Sequence, residues 1–408
     1  MNITFKITDW SLLSMNSHSH IRRDVNWLRA FTFTVYGISV LVFSFFPLFY
    51  RSLGFTNAQI GYLYAIGPMI SLFSNLLWSM ISDRYRTIKR ILILLLIGQL
   101  VLSIILSVSG SFLGILIVIM VFYFFYYPIY PLTDTMAITT AKEYGKSFTV
   151  IRIFGSLGFA TFAIVIGYVL TALGTSWTIR ISIILTLIAL FLTFFIRDQS
   201  SSANKMDASG LWKILRQKEL LWFFGCVFCL AIGHRMNDAF LTIAMKEMGA
   251  SDNLVGWGVL ASSLSEIPIF FLLSIYGDRL KELPLLLIAC LMFALRFLLM
   301  SLTDSAYSVI AIQTLHSVTF GIFFVTAVRY LTSLIPDHYR ATGLALFTVM
   351  WSSASGLISG TFGGVIYEHF GRKEFYLVAM TFSLVAFLGF ASKYLDRIPG
   401  RKNMNKSI

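Results

Sequence analysis

Gly54-Phe55-Thr56-Asn57-Ala58-Gln59-Ile60-Gly61 returns 195 residues later as Gly249-Ala250-Ser251-Asp252-Asn253-Leu254-Val255-Gly256. The same offset carries Ser82-Asp83-Arg84 onto Gly277-Asp278-Arg279 without a gap. Each first motif puts a hydroxyl residue, Thr56 or Ser251, where a helix would be capped, and then enters a long apolar run. Each second motif closes that run and is expected in the loop that follows. Two matches at one offset make the chain an internal duplication.

Around these landmarks lie twelve apolar runs, at about 29–50, 58–80, 91–109, 112–137, 148–170, 179–196, 220–244, 253–276, 284–301, 306–328, 342–366 and 374–394. Roughly 20 apolar residues cross a hydrocarbon core as helix. Apolar residues make up 57% of the chain and charged residues 12%, with a mean hydropathy of +0.79. A soluble protein carries roughly a quarter charged residues, so this is an integral membrane protein. The longest polar interruption, 197–218, divides the runs six and six and reads as a cytoplasmic linker with a short surface helix around Trp212. The expected organisation is a cytoplasmic segment 1–28, a six-helix bundle 29–196, the linker 197–218, a second bundle 219–394 and a cytoplasmic tail 395–408. The fold class is all-α: a polytopic membrane protein with twelve transmembrane helices in two parallel six-helix repeats.

The net charge of +13 could suggest nucleic acid, but a phosphate-binding surface needs clustered basic residues on a folded polar face. Here they fall in short loops. With both termini inside, 24 of the 32 lysines and arginines lie on the cytoplasmic side. Five lie outside (Arg51, Arg180, Lys246, Arg372, Lys373) and three within spans. This is the inside-positive bias of membrane proteins, and it accounts for the charge. Residues 1–27 have no continuous apolar core, so no signal peptide is expected; the segment reads as polar and disordered, with Met1 or Met15 as the start. Cys226-x-x-Cys229 and Cys290 lie in apolar runs and read as packing residues.

Chemistry is carried by the ionisable residues inside spans: Asp134, Arg152, His234, Arg235, Asp238, Glu266, Arg296 and His316. Each costs several kcal/mol in hydrocarbon unless it meets a partner or a water-filled cavity, so together they predict a polar interior. Asp134 and Arg152 flank a short loop, and antiparallel helices would bring them together. Gly155 and Gly158 let the arginine-bearing helix pack closely. His316 lies about 15 Å into its span and Arg296 about 18 Å into the preceding one from the other side, near one depth. Glu266 is also near mid-membrane, followed by Pro268, which frees a carbonyl. Glu266 reads as the group whose proton occupancy responds to whether it faces apolar wall or the cations Arg296 and His316. His234, Arg235 and Asp238 are expected as a hydrogen-bonded cluster in the outer part of their span. The run Phe122–Tyr130 reads as packing, and Asp83-Arg84 with Asp278-Arg279 as latches of a cytoplasmic gate.

Arg152-Ile153-Phe154-Gly155-Ser156-Leu157-Gly158-Phe159-Ala160 resembles the fifth-helix motif of the lactose-permease group and its phenylpropionate-permease-like relatives in the major facilitator superfamily. Thr314-Leu315-His316, Arg296 and Arg329-Tyr330-Leu331-Thr332-Ser333 resemble the permease's ninth and tenth helices; Ser265-Glu266-Ile267-Pro268 is similar to the phenylpropionate-permease-like pattern. The resemblance spans the membrane domain, and two parallel six-helix repeats about an axis along the membrane normal are that superfamily's architecture. It implies that Asp134 and Arg152 bind substrate, that Phe159 stands where a tryptophan stacks on the sugar, and that Arg296 and His316 belong to the proton-coupling cluster. The permease's proton-carrying glutamate is Thr319 here. Its intramembrane ion pairs become Asn237 with Gln313, and His234 with Ser352, which moves coupling to Glu266 or Asp238.

The function expected is a proton-coupled importer of a small organic solute. Arg152 suits an aromatic acid, while Asp134 beside it leaves a sugar or nucleoside open. Drug or metabolite efflux is the alternative; it favours an acidic residue in the first span, which 29–50 lacks. A membrane enzyme or sensor finds no support, for there is no metal-ligand cluster, nucleotide loop or soluble catalytic domain. The expected partners are the solute, the proton and membrane lipid, without nucleic acid, metal or cofactor beyond a proton gradient. The expected form is a monomer in the plasma or inner membrane.

Overall fold

In the computed structural model, which describes residues 8–145, 147–199, 217–336 and 339–396, the apolar runs become helices. Twelve are long and apolar enough to cross a membrane. They are α1 Arg23–Ser52, α2 Asn57–Tyr85, α3 Lys89–Val108, α4 Phe112–Glu143, α5 Thr149–Leu173 and α6 Thr175–Thr193. After the linker come α7 Lys218–Glu247, α8 Asp252–Leu273, α9 Glu282–Leu302, α10 Ala306–Leu334, α11 Thr342–Phe370 and α12 Arg372–Asp396. Six spans precede residues 200–216 and six follow. The helix of Trp212, most of the linker and the tail from 397 lie outside the described residues. The described helix of α1 extends back to Thr8.

The repeated motifs do not behave identically. Thr56 closes a full capping box: its hydroxyl accepts from the Gln59 N–H while the Gln59 side chain accepts from the Thr56 N–H. Ser251 stands at the equivalent position without a side-chain cap, and its hydroxyl donates to Asn253 Oδ1. Asp83 and Arg84 lie in the last turn of α2 rather than in the loop, and the chain leaves through Arg86 in a left-handed conformation. Asp278 and Arg279 belong to a short 3-10 turn, Gly277–Arg279, after α8. Arg329 of α10 fixes that turn by donating to the Gly277 carbonyl at 2.5 Å and to Glu282 at 3.2 Å.

Most packing is within each half of the chain; two pairs of spans join the halves closely, α2 with α11 and α5 with α8. Glycines make both contacts possible. A Cβ on Gly61 would stand 2.2 Å from the Gly360 carbonyl oxygen, and one on Gly256 2.3 Å from that of Ala163. Such small-residue seams let backbones approach within the membrane. At the ends away from the termini, called here the distal side, polar contacts reinforce the seams. Glu368 accepts from the Asn57 N–H at 2.7 Å, and Thr171 Oγ1 from the Asn253 N–H at 2.9 Å. Thr175 Oγ1 reaches Asp252 at 3.2 Å, and Arg51 pairs with Glu247 at 3.0 Å. The distal side is closed.

Three spans contain a π-helical turn: Leu41–Phe45 in α1, Ser317–Gly321 in α10 and Val349–Ala354 in α11. In α1 the turn leads into Pro47, which has no N–H to continue the α-helical ladder. All three turns are at mid-span and contribute side chains to the same central space.

Candidate functional site

That space is a cavity of about 430 Å³ between the two halves. The first half contributes Phe43 and Ser44 from the π turn of α1 and Phe159 from α5. The second half supplies every charged lining group, from α7, α8 and α9, and an aromatic wall from α10 and α11. In that wall the Phe320 ring stacks on His316 at 5.1 Å and on His234 at 5.3 Å, and the Phe347 ring lies parallel to Trp351 at 6.1 Å.

The sequence-derived trio Arg296, His316 and Glu266 is continuous. An Arg296 amino group lies 2.8 Å from His316 Nδ1, and His316 Nε2 lies 2.9 Å from Glu266 Oε1. A guanidinium can only donate, so Nδ1 accepts and the ring proton sits on Nε2, facing the carboxylate. His316 is therefore a neutral bridge between a permanent cation and a carboxyl group. Arg296 is wholly buried and is also held by Gln313 Oε1 and by Thr319 Oγ1 at 3.3 Å. Thr319, which replaces the permease's acid, thus serves as an acceptor for Arg296.

The α7 cluster lies in the distal half of its span and lines the same cavity. Asp238 accepts from Arg235 at 3.3 Å and lies 3.5 Å from His234 Nε2. His234 Nδ1 is buried without a hydrogen-bond partner, which fits the same neutral tautomer. Arg235 is also tied to α11, donating to Ser352 Oγ at 2.8 Å and to the Trp351 carbonyl at 3.3 Å. The Tyr64 hydroxyl of α2 interacts with it from the other half. Asn237 and Gln313 both line the cavity but take different partners, Tyr376 at 3.5 Å and Arg296. Ser352 takes Arg235 and His234 takes Asp238, so neither replaced ion-pair position is paired with the other.

Asp134 and Arg152 meet at 3.5 Å, each about one-third exposed. They lie outside the lining of the central cavity: Arg152 is seven residues before Phe159 on α5, about 10 Å towards the terminal side. Sequence reasoning missed their organiser. Tyr36 of α1 points its hydroxyl at both Asp134 oxygens, 3.3 Å each, while the Arg152 guanidinium lies 4.3 Å over its ring. The glycines of the Arg152 motif are explained by this. A Cβ on Gly155 would meet Tyr36 at 2.8 Å and Arg152 at 2.9 Å, and one on Gly158 the Phe33 carbonyl at 2.1 Å.

Of the gate candidates, Asp83 has one buried carboxylate oxygen without a hydrogen-bond partner, and Arg84 is exposed. The aromatic run packs internally, with Phe122 and Tyr126 fully buried and stacked at 5.5 Å. Cys226, Cys229 and Cys290 are free thiols.

A profile described as the MFS_1 like family matches residues 25–378. Among curated proteins, the "Probable 3-phenylpropionic acid transporter" of Escherichia coli (strain K12) is 26% identical over 372 residues, spanning 88% of this chain and 96% of that one. Maltose permease of Geobacillus stearothermophilus is 21% identical over 335 residues, spanning 82% and 84%. Among solved structures, nucleoside transporter NupG superposes with a TM-score of 0.82 at 15% identity, over 91% of this chain and 98% of that one.

Proposed function

The chain belongs to the MFS_1 like family of the major facilitator superfamily, and from that premise we propose that it imports a small organic solute together with protons. It is a multi-pass membrane transporter and not an enzyme, with the twelve-helix major facilitator fold. The solute is an aromatic acid, a sugar or a nucleoside, the range that the names of its relatives cover.

The observation that carries the coupling is the unbroken Arg296–His316–Glu266 chain on the cavity wall. Arg296 cannot release a proton, and His316 already bonds through both nitrogens. Glu266 is then the group that takes up and releases the proton, with His316 reporting its state to Arg296. Asp238 and His234 belong to the same cluster. Phe159, Asn237 and Gln313 contact the solute in the cavity. Asp134, Arg152 and Tyr36 hold it on the terminal side.

Both termini are cytoplasmic, from the lysine and arginine bias, so the closed distal side faces outwards and the conformation is inward-facing. Asp83-Arg84 and Asp278-Arg279 latch the opposite gate when the halves rock. The protein works as a monomer in the plasma or inner membrane, with the proton gradient as its energy source.

The test is Glu266→Gln in proteoliposomes. Accumulation driven by an inward proton gradient should vanish while counterflow exchange of solute persists. Uphill accumulation by that variant would remove Glu266 from coupling and leave Asp238 as the candidate.

A further inference from the structure

Charged groups of both signs line the cavity. Two arginines, Arg235 and Arg296, face two carboxyl groups, Asp238 and Glu266. Both histidines are neutral on geometric grounds. His316 accepts from Arg296 at Nδ1, and a second proton on His234 would place a buried N–H where no acceptor lies among the described residues. The other ionisable groups nearby are hydroxyls, Tyr64 and Tyr127 beside Arg235 and Tyr376 beside Arg296. Asp134 and Arg152 cancel one another.

With both carboxylates ionised, the empty cavity is neutral. A proton on Glu266 leaves it with one net positive charge. A solute with a single negative charge restores neutrality, whereas a neutral solute would leave a full uncompensated charge in the membrane interior throughout the transition.

The two arginines are not equally available. Arg296 is wholly buried, and Gln313, His316 and Thr319 hold its two amino groups. Arg235 is about 19% exposed and lines the cavity. Ser352 and the Trp351 carbonyl fix its Nε and one amino group, Tyr64 meets it from α2, and the other amino group faces Asp238 at 3.3 Å. That last amino group is where an anion can be received without dismantling the arginine's support.

We infer that Arg235 anchors the anionic end of an organic monoanion in the central cavity, and that this solute crosses with one proton in an electroneutral step. The inference rests on the proton-coupled reading above and narrows it to one solute class and one stoichiometry. Asp238 is the resident counter-ion that the solute's anionic group must share Arg235 with.

The experiment uses the full chain in proteoliposomes, with 3-(4-hydroxyphenyl)propionate, its uncharged amide, uridine and maltose as probes. Protein-free vesicles report passive entry of protonated acid. A pH gradient, alkaline inside, and a potassium–valinomycin potential are imposed separately. The expected result is accumulation of the monoanion with the pH gradient, at least tenfold over the amide, and no response to the potential. Accumulation driven by the potential, preference for an uncharged probe, or failure of the monoanion to move would overturn the inference. Proton-driven uptake of uridine or maltose would do so while leaving the coupled-transport reading intact. Counterflow of solute with no response to the pH gradient would sink that reading and the inference together.

Two variants separate anchoring from folding. Arg235→Gln should lose at least tenfold in monoanion binding, with Arg235→Lys recovering part of it. Asp238→Asn removes one negative charge, so monoanion binding should become independent of pH in the range where the unaltered protein needs its proton. An unchanged pH profile in Asp238→Asn would count against the charge balance even if both Arg235 variants failed to fold.

Discussion

Gly61→Ala is the most direct test of how the distal side is held shut. The added methyl would stand 2.2 Å from the Gly360 oxygen and 2.9 Å from the Gly364 Cα. Both obstacles are backbone, so no side chain can rotate away, and α2 and α11 must separate by about 1 Å to restore ordinary contact. Overpacking a close interface costs about 1–3 kcal/mol. That cost falls on the distal-closed state alone, because the two glycines part when the seam opens. A difference of about 1–3 kcal/mol moves a two-state balance by about 5- to 150-fold. Spin labels at Gly110 and Ser305, in distal loops of the two halves, would read the change in a background lacking the three native cysteines. The long-distance population should grow, and inward-facing accessibility should fall. A distance distribution identical to that of the parent, in a folded and labelled protein, would refute the seam as the element that sets the balance.

Glu247→Gln and Glu368→Gln should shift the same distances in the same direction but only about two- to fivefold each, since a partly exposed ion pair or a charge at a helix N-terminus contributes about 0.3–1 kcal/mol. Tyr36→Phe removes a hydrogen bond to a carboxylate, worth about 1.5–3 kcal/mol, and should weaken solute binding about tenfold or more with insertion intact; unchanged affinity would confine Tyr36 to packing. Arg152→Lys keeps the charge but loses the planar face over Tyr36, so transport should fall strongly, and retained affinity would make the pair structural. Asp83→Asn and Asp278→Asn should alter transport rate and the inward–outward balance more than affinity, as measured by accessibility on the two faces; a shift in affinity alone would contradict the gate role.

Membrane folding makes some features legible in sequence and hides others. Span positions follow from hydropathy, because a bilayer demands an uninterrupted apolar length, and all twelve runs overlap the observed helices. The Asp134–Arg152 contact and the Arg296–His316–Glu266 chain could be read because charges in hydrocarbon must find one another. Tyr36 could not, since a tyrosine in an apolar run carries no such obligation. The distal seams were half visible: Gly61 and Gly256 marked the repeat, but their partners Gly360 and Ala163 come from other spans, and nothing local names them. Ser251 matched Thr56 in position but makes no side-chain cap; its hydroxyl turns to donate to Asn253. Arg235 was grouped with its neighbours on α7, and only the approach of α2 and α11 reveals it as a junction.

The three π-helical turns carry a consequence for comparing this chain with others. A π turn is an α-helix with one residue inserted, which rotates everything beyond it by about 100°. A relative with regular helices at these levels would need single-residue gaps inside α1, α10 or α11 to keep its far ends in register. Ungapped alignment would then place the wrong residues opposite Phe43, Phe320 and Trp351. Deleting one residue from such a turn should leave a continuous helix but swing the lining side chain out of the cavity, so solute preference in this fold can change by deletion as well as by substitution.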